Sequence, residues 1–152
     1  MRKVCEEYFS DLLLYKAPYG YTISDFWIEE LEEETIDDDC CKSYINKIWS
    51  KDGIFKFVTS ELGVTIEIDL DRVSENVANS IKKIIEEEKT KFNDIEIEYE
   101  DDINMLYVSI GVEIVDSVVS NDECHCELCY DEDVITKIND LLDKLYSVVG
   151  YV

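Results

Sequence analysis

The chain has 152 residues, 46% hydrophobic and 11% aromatic, which is enough apolar material for the core of one ordinary domain. Its 14 basic residues face 37 acidic ones, for a formal charge of −23. A nucleic-acid binder carries a basic face, and no run here exceeds two adjacent basic residues (Arg2–Lys3, Lys82–Lys83), so direct binding to nucleic acid or an anionic membrane is excluded and a basic partner is the natural complement.

The amino terminus, MRKVCEEYFSDLLLYK, does not read as a secretory signal, because Glu6, Glu7 and Asp11 break its apolar run. No run of about 18 apolar residues offers a membrane span. The expected compartment is the cytoplasm (of the host cell, if a phage encodes the chain), and the six cysteines are expected there as reduced thiols.

In chain order, Cys5, Phe9, Leu12 and Leu13 lie at helical spacing and predict a helix over residues 3–16, stopped at Pro18 and Gly20. Ser24 is placed to cap a second helix through Phe26, Trp27 and Leu31. That helix runs into EELEEETIDDD, residues 29–39, whose acids oppose the dipole at a helix C-terminus, so fraying is expected there. Tyr44, Ile45, Ile48 and Trp49 mark a third helix, closed by Asp52-Gly53. The character then changes. Residues 54–59 and 64–70 read as a β-hairpin, 74–92 as an amphipathic helix through Val77, Ile81, Ile84 and Ile85, and 95–100 with 105–115 as a second hairpin. Residues 116–131 read as a loop, and 131–149 as a final helix buried through Ile138, Leu141, Leu142 and Leu145. The predicted fold is therefore a single α+β domain over 1–152. N-terminal helices (1–52) precede a ββαββα unit (53–152) with a mainly antiparallel four-stranded sheet.

The acidic residues in this frame form rows. In NDIEIEYEDD, residues 93–102, Glu96, Glu98 and Glu100 alternate with apolar residues. In the preceding hairpin Glu67, Asp69 and Asp71 do the same. Carboxylates two apart on a strand are about 6.7 Å apart, near the separation of neighbouring phosphates on a nucleic-acid strand. If the two strands were neighbours, like charges would face each other across the ladder, which folding alone disfavours. Two rows of this kind point to a carboxylate array that imitates a phosphate backbone. Glu32, Glu33, Glu34, Asp37, Asp38 and Asp39 would extend it, as would Glu86, Glu87 and Glu88. Tyr107 is expected on the outward face beside Met105 as an aromatic anchor, while Trp27 and Tyr99 are expected in the core. The plain alternative is a solvated acidic surface.

In size, charge and scarcity of basic residues the chain resembles anti-restriction and anti-CRISPR proteins. The likeness lies in composition and carries no site residue with it. It implies a non-enzymatic inhibitor that blocks a DNA- or RNA-binding defence protein, with a homodimer as one way to extend the charged surface. The alternative is an immunity protein that neutralises a basic nuclease toxin.

NDECHCELCYDED, residues 121–133, gathers Cys124, His125, Cys126 and Cys129. The Cys126-x-x-Cys129 spacing lets two thiolates reach one zinc ion, with Cys124 nearby, but no well-spaced second pair completes a tetrahedral site. Ordinary thiols are the alternative, and no cofactor is expected otherwise. The five glycines are scattered, without a phosphate-binding loop, and no nucleophile, base and orienting group converge. The reading is a binder, not an enzyme.

Overall fold

Alternation with a period of two dominates the chain. In the computed structural model, which describes residues 1–35, 42–120 and 125–152, it builds nine strands. They are β1 (Lys3–Glu6), β2 (Trp27–Thr35), β3 (Lys42–Ser50), β4 (Phe55–Ser60), β5 (Gly63–Asp69), β6 (Ile95–Glu100), β7 (Met105–Gly111), β8 (Asp116–Ser120) and β9 (His125–Asp131). Three α-helices accompany them: the single turn α1 (Ile23–Phe26), α2 (Glu75–Glu88) and α3 (Glu132–Val149). Six strands form one antiparallel sheet in the order β2-β3-β4-β5-β7-β6, and β1-β9-β8 form a second.

This corrects the predicted fold. The protein is mostly β, with two sheets of six and three strands and its longest helix at the C-terminus, not N-terminal helices ahead of a four-stranded sheet. The errors share one cause. Tyr44, Ile45, Ile48 and Trp49 satisfy helical spacing, yet they also divide by parity between the two faces of a strand. In β3, Tyr44, Asn46, Ile48 and Ser50 are buried, while Ile45 and Trp49 share the opposite face with Lys47. In β2 the extended backbone removes the clash between glutamates and a helix C-terminus altogether. The predicted first helix is a four-residue strand followed by a 3-10 turn at Phe9–Leu12. The predicted loop at 116–131 contains β8 and β9, whose residues do not alternate between a buried and an exposed face.

Local signals set the remaining helix ends. The Ser74 hydroxyl accepts a hydrogen bond from the Val77 N–H and caps α2, and Asp131 does the same for α3 through Asp133. Gly150, with φ of 89°, closes α3 in the left-handed conformation. Thr22, not Ser24, caps α1. A different constraint acts at Gly63, where a Cβ would stand 2.1 Å from the Ile110 carbonyl oxygen. Only glycine lets β5 and β7 approach this closely.

The helices cover one face of the large sheet. Phe55, Phe57, Ile66, Ile68, Val108 and Ile110 are each at most 2% exposed and pack with Ile81 and Ile85 of α2 and Ile138, Leu141 and Leu145 of α3 in one core. Side chains of this size contribute about 1.5–3 kcal/mol each when fully buried. Tyr146 of α3 meets Phe55 edge-on, 5.7 Å between centroids. Glu88 of α2, buried, receives Lys144 of α3 and lies 2.8 Å from the Lys91 ammonium.

The small sheet is joined to this core by Phe9 and Tyr130, whose rings meet edge-on at 5.2 Å. The Tyr130 hydroxyl donates to the Glu61 carbonyl at 3.0 Å, and Tyr44 accepts a hydrogen bond from the Phe9 N–H. Cys5 and Cys129 stand directly opposite each other on β1 and β9 and form a disulfide. Cys126 is disulfide-bonded too. The described cysteines are thus cystines, which corrects the expectation of reduced thiols. Parity in the small sheet, not spacing along the chain, brings Cys5 to Cys129. Among the described residues no helix is long and apolar enough to cross a membrane.

Candidate functional site

The face of the six-stranded sheet away from the helices has none of the described helices packed on it. Its side chains are those of opposite parity to the core. Because directly paired residues share a face, the register defines rows across it. One row crosses all six strands as Glu98–Tyr107–Glu67–Lys56–Trp49–Ile28. The next runs Glu96–Ser109–Thr65–Val58–Lys47–Glu30. A shorter one is Glu100–Met105–Asp69.

The two predicted acid rows are therefore not neighbours. β7 lies between β5 and β6 and sets Met105, Tyr107 and Ser109 between the carboxylates. Two strand spacings, about 9.6 Å, separate the Glu67 and Glu98 backbones. This removes the like-charge ladder that direct pairing would have made. It also places Tyr107 between two glutamates. Partial burial, followed by the charges of Glu100, Glu67, Glu98 and Asp102, holds the Tyr107 phenol above its ordinary value. Four carboxylates thus act on one aromatic group at the surface.

Asp69 and Asp71 are engaged elsewhere. Asp69 accepts a hydrogen bond from the Asp71 N–H at 3.1 Å and lies 3.5 Å from the Arg72 guanidinium. Asp71, beyond the strand end, accepts from the Asn104 side chain at 2.9 Å. Asn104, in a left-handed conformation with φ of 51°, also accepts from the Tyr99 hydroxyl at 2.5 Å. Tyr99 is not the core residue expected. It is 41% exposed at the sheet edge, with the Lys82 ammonium 4.5 Å from its ring centroid. Trp27 is buried, as expected.

The acidic run divides by parity along β2. Glu30, Glu32 and Glu34 share the open face, in register with Lys47, Ile45 and Ser43. Glu29 and Glu33 lie on the other side, where Glu29 accepts from the buried Asn46 at 2.8 Å and Glu33 pairs with Lys42 at 3.2 Å. Asp37, Asp38 and Asp39 lie outside the described residues. Glu86, Glu87 and Glu88 belong to α2, on the covered side of the sheet, and do not extend the array. Glu86 pairs with Lys89 at 2.6 Å.

Of the proposed zinc ligands, Cys124 lies outside the described residues, while Cys126 and Cys129 are both in disulfides. In this structure the Cys-x-x-Cys spacing therefore presents no pair of thiolates. His125 lies 3.0 Å from Glu127.

Sequence reasoning missed the apolar part of the open face: Ile28, Ile45, Trp49 and Val58. Ile28 and Ile45 are 41% and 45% exposed, and Trp49 and Val58 are half-buried. Apolar residues at both parities of β3 were the available signal, and they were absorbed into a helical stripe. No protein-family model matches the chain, and neither curated proteins nor solved structures give a match.

Proposed function

We propose that the protein is a non-enzymatic acidic inhibitor that occupies the nucleic-acid groove of a DNA- or RNA-handling protein, in the anti-restriction or anti-CRISPR manner its size and charge resemble. The contact is the open face around β5, β7 and β6. The observation that carries this reading is the row Glu98–Tyr107–Glu67, flanked by Glu96 and Glu100, on a face with no described helix over it. Carboxylates spaced along a rigid strand offer fixed negative charge to a basic groove, and Tyr107 offers a flat surface where a base would stack. A net charge of −23 steers the encounter and makes it sensitive to salt.

The test is a pull-down from lysate of the source organism with this chain as bait, washed at low and then high salt, with competing DNA in parallel. A basic nucleic-acid-binding protein released by both supports the reading. The same capture by a Glu67→Lys, Glu98→Lys, Glu100→Lys variant would sink it. A partner that resists both salt and DNA favours an immunity protein seated on its toxin.

A further inference from the structure

A phosphate mimic needs carboxylates; it does not need exposed isoleucines. The open face has both. Acid lies along its two margins: Glu30 and Glu32 on edge strand β2, and Glu96 and Glu98 on edge strand β6. Towards the β2 side lie Ile28, Ile45, Trp49 and Val58. The two lysines in the central rows, Lys47 and Lys56, stand in register with Glu30 and Glu67, so neither leaves a positive margin. Open grooves of about 380 and 460 Å³ follow this face, one walled by Trp49, Lys56 and Glu67, the other by Ile45, Val58 and Glu96. The six strands span about 24 Å, and an α-helix with its side chains is about 10–12 Å wide. One helix therefore fits between the margins.

We propose that this face seats a cationic amphipathic α-helix of the partner. Its apolar stripe lies on Trp49, Val58, Ile45 and Ile28, and its lysines and arginines reach Glu30 and Glu32 on one side and Glu67 on the other. The proposal rests on the reading of the same face as the docking site for a basic partner, and adds what that partner must present. Charge complementarity selects this occupant over a second copy of the chain, whose acidic margins would meet acid.

The probe is a synthetic Lys/Leu peptide of about 18 residues, five helical turns, patterned to be amphipathic. A scrambled peptide of equal composition and charge is the control. Trp49 is the built-in reporter, since Trp27 is buried on the other face and its emission should stay constant. The amphipathic peptide is expected to shift Trp49 emission to the blue. It should outlast the scrambled one at about 1 M salt, where the Debye length is about 3 Å. Ile28→Thr with Ile45→Thr keeps the strand-favouring branched side chains and should weaken the amphipathic peptide about tenfold. Val118→Thr, more exposed than either and on β8, should leave binding unchanged. Equal affinity for the two peptides, or wild-type affinity in the Ile28/Ile45 variant, overturns the proposal. So does concentration-dependent dimerisation of the free chain that this variant abolishes. None of these results touches the nucleic-acid mimicry, which fails if the captured partner is indifferent to DNA or to charge reversal.

Discussion

The two sheets are held together by different means. In the six-stranded sheet every second residue of β4, β5 and β7 is buried beneath α2 and α3, and hydrophobic burial supplies the stability. In the three-stranded sheet only Cys129 and Tyr130 are buried, and β8 exposes Val118 and Val119. A covalent link between β1 and β9 stands where burial is thin. The edges differ as well. Edge strands β2 and β6 of the large sheet carry glutamates that discourage pairing with another chain. Edge strand β8 has a single charged residue, Asp116, and it is paired with Lys3 at 2.6 Å. Interior apolar area allows the large sheet to leave one face open. The small sheet has no such reserve.

Substitutions should separate the two, and the largest effect belongs in the large sheet. Phe57→Ala removes a ring with no exposure at the centre of the core. It should cost about 3–5 kcal/mol in urea denaturation. Next comes the link in the small sheet. Cys5→Ala with Cys129→Ala releases a constraint across 124 residues and should cost about 2–4 kcal/mol. Amide exchange should accelerate first in β1, β8 and β9. Uniform acceleration across both sheets would show that the small sheet is not a separately labile unit.

A smaller effect is expected where the two helices meet. Burial disfavours the charged form of Glu88, but hydrogen bonds from Lys144 and Lys91 outweigh it and lower its carboxyl below the ordinary value. A lowered carboxyl contributes stability that is present above the ordinary carboxylate range and lost as pH falls through the folded value. Glu88→Gln should cost about 1.5–3 kcal/mol at neutral pH, with the difference from wild type vanishing in acid. Glu6 and Asp11 act in the opposite sense. Burial first, then neighbouring carboxylates, raises both, so mild acid relieves repulsion there. Thermal stability should rise as Glu6 and Asp11 protonate, and fall as Glu88 and Asp116, both held below the ordinary carboxylate value by lysines, protonate in turn.

How much of this was legible follows from which period each segment allows. In residues 54–70 and 95–111 the core-facing apolar residues stand two apart (Phe55 and Phe57; Val64, Ile66 and Ile68; Ile95 and Ile97; Leu106, Val108 and Ile110), with a turn between the runs, and strands fit. The segments that became α2 and α3 have apolar residues three and four apart over many residues, and only helices fit. Residues 27–50 allowed both periods. Leu31 is four residues from Trp27 in either reading, and the outcome depended on β4 offering an edge to β3, which is tertiary information. Of the site, the parity of Glu67, Glu96, Glu98 and Tyr107 was readable, but the strand order was not. Placing β7 between β5 and β6 decides that Tyr107, not another glutamate, faces Glu67. The Cys5–Cys129 pairing was beyond reach for the same reason: it depends on a register between the two ends of the chain.

The smallest effect is a titration that compares a tyrosine of the open face with one between the sheets. Tyr130 is pushed up to about 12 from 10.0, chiefly by burial, with the Tyr44 hydrogen bond opposing and the Glu61 charge adding. Tyr107 is raised by partial burial and then by four surface carboxylates. Salt screens charges at the surface and hardly touches burial. Added salt should therefore lower the Tyr107 value towards the ordinary one and leave Tyr130 in place, as followed by ring-carbon NMR. Glu67→Gln with Glu98→Gln should lower Tyr107 in the same direction by less, because Glu100 and Asp102 remain. Both phenols are raised, so each contributes stability that is full below the ordinary phenol value and is lost as pH rises through the folded one. For Tyr130 that loss falls between 10.0 and about 12, and the junction between the sheets should open in alkali over that range. If Tyr107 failed to respond to salt, the glutamates around it would not act as one field, and the carboxylate array would lose its physical basis.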